Sequence, residues 1–479
     1  MTRFVYISSL LVASIPLLFI SNPAISQQDG PTKKRSGWLL VTPAQREELF
    51  KYAEDFKGYL KAARNARTST LEVIQRAKAA GFEEFKDPKQ VKAGAKLILN
   101  GRNRALVLAV IGNEPMTTST RIIATHQDSP HIGLKPHPVQ PASEFAIFKT
   151  VYYGGIKKYQ WSNLPLALIG RIDTKEGRTV DVSIGLQPGE PQFVIPDNAP
   201  HSDKDLQTRT YTGVLTGEEL DPVAGSVPGE KSGVVAEIIK QLTESYKVTE
   251  EDLVSSELDL VPASNPADVG IDKGLIGAYG QDNRLSSYCA ARALFDLKST
   301  PKYTAIAYLA NFEEVGSVNN TGAASQFLND CLARLIGAQR GKEYSDLDLK
   351  QTLRNSHVIS ADCNDGLNPI FPQNSEATNT AKLGYGVTIK LYKQGFNANS
   401  EFVAKIRAIL DAQNIPWQTQ TPKVDVGAGG TIGGFLSSNN MEVIDLGIPL
   451  LSMHSPFEMS SKVDLWNYYR FMSAFAAGL

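Results

Sequence analysis

The sequence predicts an α/β protein: a mixed sheet with a β-rich segment inserted into it. Three observations predict this. Short continuous apolar runs such as Ala105–Ile111 and Tyr303–Ala310 recur along the chain, as expected of strands in a sheet covered on both faces. Amphipathic helical patterns alternate with those runs, the arrangement that joins parallel strands through helices. Between residues 139 and 265 the pattern changes to short β-like runs separated by Gly/Pro turns, which marks a distinct β-rich unit.

The 479 residues, 42% of them hydrophobic, leave room for two or three domains. A formal net charge of −1 gives no electrostatic reason to expect a nucleic acid or an anionic membrane as partner. Arg3 precedes the mostly apolar run Phe4–Ile20, and Asn22–Ser26 supplies small residues at a cleavage position. Residues 1–26 therefore read as a secretory signal peptide, with cleavage near Ser26. That predicts an exported protein, periplasmic or secreted, with no stable membrane association after cleavage. The apolar run contains Pro16 and falls short of the ~18 uninterrupted residues that a spanning helix needs. Residues 27–40 are polar and basic, a flexible lead-in. The expected division is then 41–138 for the first part of the α/β domain, 139–265 for the insert and 266–479 for the second part.

Taken in order, Thr42-Pro43 opens a helix with Leu49, Phe50, Ala53, Phe56 and Leu60 on one face; Thr suits the N-cap and Pro the first helical position. Ser69 and Glu72 have capping-box spacing for a second helix ending near Gly81. Strands follow at Ala105–Ile111 and Arg121–Thr125. In the insert, Leu166–Ile172, Thr179–Ile184 and Gln192–Ile195 read as strands, 197–232 as a polar stretch and 233–247 as a helix. After Asp282 the pattern is helix Arg284–Leu297, strand Tyr303–Ala310, helix Ala323–Ile336 and strand Ser356–Ser360. Strand Gly386–Leu391, helix Ser400–Gln413, strands Glu442–Leu446 and Leu450–Met453, and helix Val463–Ala477 complete it. Cys289, Cys331 and Cys363 are odd in number and widely separated, so no pairing is indicated.

Chemistry-bearing residues recur at strand ends. His126 and Asp128 close one apolar run, Glu313 and Glu314 follow another, Asp362 a third and His454 a fourth, with Asp282 in Gly-Gln-Asp-Asn-Arg. In open α/β sheets ligands bind at that edge, where loops converge without disturbing the core. Three carboxylates and one hydroxide balance two Zn²⁺, and neutral imidazoles complete the coordination without adding charge. One bridging carboxylate would hold two such ions ~3.5–4 Å apart. Adjacent Glu313 and Glu314 cannot both point the same way on extended backbone, so one can face a metal and the other a water. Manganese and cobalt suit the same donors.

His-Gln-Asp-Ser-Pro (126–130), Asp-Asn-Arg (282–284), Glu-Glu-Val-Gly-Ser (313–317), Ser-Ala-Asp (360–362), Gly-Gly-Thr-Ile-Gly (429–433) and Ser-Met-His-Ser (452–455) together resemble the aspartyl/vacuolar aminopeptidase family of co-catalytic zinc exopeptidases. The resemblance runs from about residue 43 to the C-terminus. It implies a zinc-exopeptidase-type α/β/α sandwich with an inserted β-rich dimerisation domain. It also implies a metallo-aminopeptidase acting on peptide substrates with two zinc ions, in a homo-oligomer built from dimers into a dodecamer. His126, Glu314 and His454 become terminal zinc ligands, with Asp362 on the other metal and Asp282 bridging. Glu313 becomes the general base for a metal-bridged hydroxide, Asp128 orients His126, and Lys390 lies near the substrate. The sequence departs from the family pattern at Asp365 and Asn368, where histidines are usual, leaving open another two-zinc deacylase or peptidase and a catalytically weakened, cage-forming binding protein.

Overall fold

The computed structural model describes residues 35–391, 396–426 and 429–478; the expected signal peptide lies outside them. A nine-stranded mixed sheet forms the centre, in the spatial order 83–84, 96–101, 105–110, 304–310, 120–126, 356–361, 442–447, 387–390, 417–420. Its middle is parallel: Thr304–Ala310, Thr120–His126, Ser356–Ala361 and Glu442–Gly447 run side by side. His126 pairs with Ala310, and Ser360 with Ala124. The four strands therefore end along one edge of the sheet.

Both faces of this sheet are buried at its centre, which is why strands such as Ala105–Val110 are apolar at every position. Leu106, Leu108 and Val110 enter one core while Val107 and Ala109 enter the other, the period-2 alternation of a strand. The first core packs the helices Pro43–Ala62, Ala66–Ala79, Gln281–Phe295, Ser400–Ala412 and Lys462–Ala476; the second packs Phe327–Arg340 and Asp346–Arg354. This is the expected α/β/α sandwich. Fully buried side chains such as Phe56, Leu285 and Phe471 each stabilise it by about 1.5–3 kcal/mol relative to exposure.

A second sheet of six antiparallel strands is built from His131–Ala142, Phe145–Tyr153, Leu166–Asp173, Thr179–Ile184, Val223–Gly225 and Ser256–Pro262. It has its own core, around Phe148, Trp161 and Leu260, covered by helix Val234–Tyr246. A third, five-stranded sheet joins Ala267–Val269, Leu275–Ala278, Glu458–Ser461, Pro449–Leu451 and Asn364–Asp365. At the N-terminal side Gly37–Leu39 forms a short turn, and the Gly37 N–H donates to the Gly384 carbonyl at 2.6 Å.

Two local expectations differ from the structure. The second helix begins after Asn65, whose side chain accepts from the Thr68 N–H in a capping box. Ser69 is instead inside the helix, and its hydroxyl donates to Gln127 Oε1 at 3.0 Å; that tertiary bond removes it from capping. Gln192–Ile195 forms only isolated bridges, Leu166 to Phe193 and Val194 to Val223.

Candidate metal centre

His126 is the last residue of its strand, Asp362 directly follows Ala361, and Glu313 and Glu314 sit on a single 3-10 turn after Ala310. Left-handed Phe312 (φ 62°) and Gly316 (φ 96°) bound that turn, so the two glutamates are on a tight turn rather than on extended backbone. Asp282 lies where the third sheet's strand Leu275–Ala278 passes into helix Gln281–Phe295, with non-helical backbone and no side-chain cap bond at that helix start. His454 lies elsewhere than the expected edge of the main sheet. It occupies the hairpin between Pro449–Leu451 and Glu458–Ser461 in the third sheet.

The structure brings six of these side chains together. His126 Nε2 is 3.5 Å from Asp362 Oδ1 and 3.7 Å from both Asp282 Oδ1 and Glu313 Oε2. His454 Nε2 is 3.3 Å from Asp282 Oδ2 and 3.4 Å from Glu314 Oε2. Asp282 thus turns one oxygen to each histidine. Donor atoms of His126, Asp282 and Glu314 fall within 4.8 Å of one another, as do those of His126, Glu313 and Asp362.

The backbone selects the histidine tautomers. His126 Nδ1 donates to the Asp128 carbonyl at 3.1 Å, and His454 Nδ1 donates to the Gly155 carbonyl at 3.0 Å. A carbonyl can only accept, so each Nδ1 carries a proton and each Nε2 is the nitrogen left to face the carboxylates, where a cation would take the place of its proton, the usual way a metal-binding imidazole is oriented. Gly154, beside that carbonyl, has φ +74°, and a Cβ there would lie 3.2 Å from Glu314 Cβ. Only glycine fits without strain.

Asp128 does more than face His126. Its carboxylate accepts the N–H groups of Glu313 (3.2 Å) and Glu314 (3.1 Å) and the Tyr153 hydroxyl (2.7 Å), which fixes the glutamate turn against the histidine. Tyr153 stacks on His131, whose Nε2 is 3.2 Å from Asp259 Oδ1. Lys390 is buried, and its ammonium donates to the Cys363 carbonyl at 2.6 Å. Sequence reasoning missed Tyr153, Gly155 and, above all, Glu458. Glu458 is 1% exposed, with its carboxylate accepting the backbone N–H groups of Asp282 and His454. An acidic residue four positions after His454 in an otherwise uncharged stretch was the available signal.

Crowded carboxylates and burial govern the electrostatics. Burial pushes Glu313 up to about 7, opposed by His126 and reinforced by Asp362 and Asp282. Burial, then Asp282, carries Glu314 well above the ordinary range. Against the effect of burial, Asp282 and Glu314 raise His454 to about 10. Burial opposes ionisation of Asp362 too, but Lys390 and His126 hold its carboxyl well below the ordinary range.

The donors fit divalent cations by a direct observation. Asp282 Oδ1, Glu314 Oε1 and Asp362 Oδ1 are buried and accept no hydrogen bond among the described residues. Such atoms are costly unless something else pairs with them. Carboxylate oxygens with imidazole nitrogens are the donors zinc takes.

Comparison with known proteins leads to the same chemistry. The family model described as "Aminopeptidase I zinc metalloprotease (M18)" matches residues 59–476. The chain is 38% identical over 454 residues to a probable M18 family aminopeptidase 1 of Borrelia garinii, covering 92% of this chain and 99% of that one. The crystal structure of an M18 family aminopeptidase from Thermotoga maritima superposes with a TM-score of 0.88 at 35% identity, over 94% of this chain and all of that one. The Saccharomyces cerevisiae mApe1 dodecamer structure, at 22% identity, shares the fold with a TM-score of 0.73 over 88% of this chain and 96% of its own.

One expectation is overturned here. Export rested on residues 1–26 alone, whereas the relatives that match nearly their full length are bacterial M18 aminopeptidases, a likeness that gives export no support. Among the described residues no helix is long and apolar enough to cross a membrane. Strand ends, paired histidines, orphaned carboxylate oxygens and these likenesses agree, and the chain belongs to the M18 family of zinc-dependent aminopeptidases.

Proposed function

We propose that this aminopeptidase works with two zinc ions sharing Asp282. His126 and Asp362 would complete one site, and His454 and Glu314 the other. The observation that carries this reading is the two-sided setting of Asp282, with Oδ1 3.7 Å from His126 Nε2 and Oδ2 3.3 Å from His454 Nε2. When bound, such a pair polarises the scissile carbonyl and acidifies water. Manganese or cobalt could replace zinc at the same donors.

Glu313 is the proposed general base. Its carboxylate accepts a proton from water and returns it to the departing amine. Its proximity to His126 and Asp362 also admits a ligand role, but His126, Asp282 and Asp362 already serve that side. Asp128 holds the glutamate turn and, through its carbonyl, the His126 ring. Lys390 keeps Asp362 ionised, a positioning role, and is the lysine that the resemblance would put near the substrate.

We further infer a homo-oligomer. The six-stranded sheet at 131–262 is the candidate dimerisation unit of a dodecamer, supported by the shared fold with the yeast dodecamer and by exposed Phe145, Val151 and Tyr152 on one of its strands.

The test is a zinc titration of the chelated protein, following hydrolysis of a leucyl substrate. Activity should saturate at two equivalents per chain, and Asp282→Ala should lose both ions. Full activity at one equivalent would remove the shared-carboxylate reading.

A further inference from the structure

One more acidic group stands beside His454. Asp365 lies on the two-residue strand Asn364–Asp365, parallel to Pro449–Leu451 and opposite Leu450. Leu450 is four residues before His454, so this strand and the histidine hairpin share one edge. The backbone here is pinned. Gln420 Nε2 donates to the Asp365 carbonyl at 2.8 Å, and the Gly366 N–H donates to the Leu450 carbonyl at 2.8 Å.

The side chain is not pinned. Asp365 is exposed, and among the described residues its carboxylate has no hydrogen bond or ion pair. It is within electrostatic reach of His454, Asp282 and Lys157. Although the residue is exposed, partial desolvation of its carboxyl pushes its pKa up, His454 opposes this, and Asp282 reinforces it; Lys157 acts least. Lys390, the other lysine on this side, spends its ammonium on the Cys363 carbonyl. An exposed carboxylate without a partner, on the strand beside the His454 hairpin, attracts a cation and repels an anion.

We propose that Asp365 sets the side-chain preference of this aminopeptidase, favouring peptides that begin with lysine or arginine over those that begin with aspartate or glutamate. The proposal rests on the peptide N-terminus being held at the two-cation centre, which places the first side chain beside His454. Asp365 contacts the side chain of the first residue and takes no part in the proton transfer.

The experiment measures kcat and KM of the zinc-loaded enzyme on lysyl, arginyl, leucyl and glutamyl p-nitroanilides. The natural chain should favour lysyl over glutamyl substrate by about tenfold or more, the size of one partly screened charge pair. Asp365→Asn should raise KM for lysyl substrate about tenfold and leave leucyl turnover within about twofold. Asp365→Glu should keep the lysyl preference. Raised salt should shrink it in the natural chain. An equal loss on all four substrates, or an unchanged lysyl-to-glutamyl ratio in Asp365→Asn, would overturn the proposal. Failure of the two-cation reading shows separately, as leucyl turnover that does not depend on zinc.

Discussion

Glu458 Oε1 accepts the backbone N–H of His454 at 2.8 Å. Its other oxygen accepts the N–H of Asp282 at 3.0 Å. One buried carboxylate thus ties together the backbones of two proposed zinc ligands that lie 172 positions apart in sequence (454 − 282).

That tie predicts the outcome of Glu458→Gln. The amide keeps one acceptor and turns its NH₂ toward an N–H that needs one, leaving a buried donor unsatisfied at about 1–3 kcal/mol. Zinc affinity should fall roughly 10- to 100-fold, as for other partners that orient metal ligands. Calorimetric titration of the chelated protein measures this directly; natural affinity in the variant would show that the tie is dispensable.

Tyr153→Phe removes the hydroxyl that donates to Asp128 Oδ2 at 2.7 Å. Hydrogen bonds to charged groups contribute about 1.5–3 kcal/mol, so denaturant unfolding should show a loss of that order. The glutamate turn loses part of its anchor, and kcat should fall while zinc content holds. A stability loss with kcat unchanged would confine Asp128 to a structural role.

Glu313→Gln separates proton transfer from metal binding. The amide preserves shape and cannot accept the proton, so kcat should fall by about 10²–10⁴. Zinc per chain should be unchanged. Loss of an ion would instead make Glu313 a ligand.

Acid stability has a marker remote from the zinc ligands. Burial, then Arg121 and Lys405, pulls His357 down to about 4, and Arg121 Nη1 donates to its Nδ1 at 2.9 Å. The unfolded imidazole titrates near its ordinary value of ~6.5. Between about pH 4 and 6.5 the unfolded chain therefore binds more protons, and stability rises with pH across that window. His357→Gln should flatten this part of the profile, so the melting-temperature gap between pH 4.5 and 7 narrows. An equal gap in both proteins would contradict the assignment.

The central sheet was legible because strands buried on both faces are almost wholly apolar, as Ala105–Val110 and Thr304–Ala310 are. Residues following such runs, His126, Glu313, Glu314 and Asp362, could be placed on one edge by that rule alone. His454 could not. Its hairpin partner Glu458–Ser461 is buried yet polar, because Glu458 is satisfied by backbone N–H groups and Ser460 by Gln281. Polarity paired across the fold leaves no local pattern. The second helix misled for a similar reason: Ser69 and Asn65 are both plausible caps, and the bond from Ser69 to Gln127, 58 residues away, decides between them.

The most direct measurement is anomalous diffraction at the zinc edge from crystals of the zinc-loaded protein. Two peaks are expected, one between His126 and Asp362 and one between His454 and Glu314, with Asp282 touching both. A single peak, or two peaks that do not share Asp282, would contradict the account.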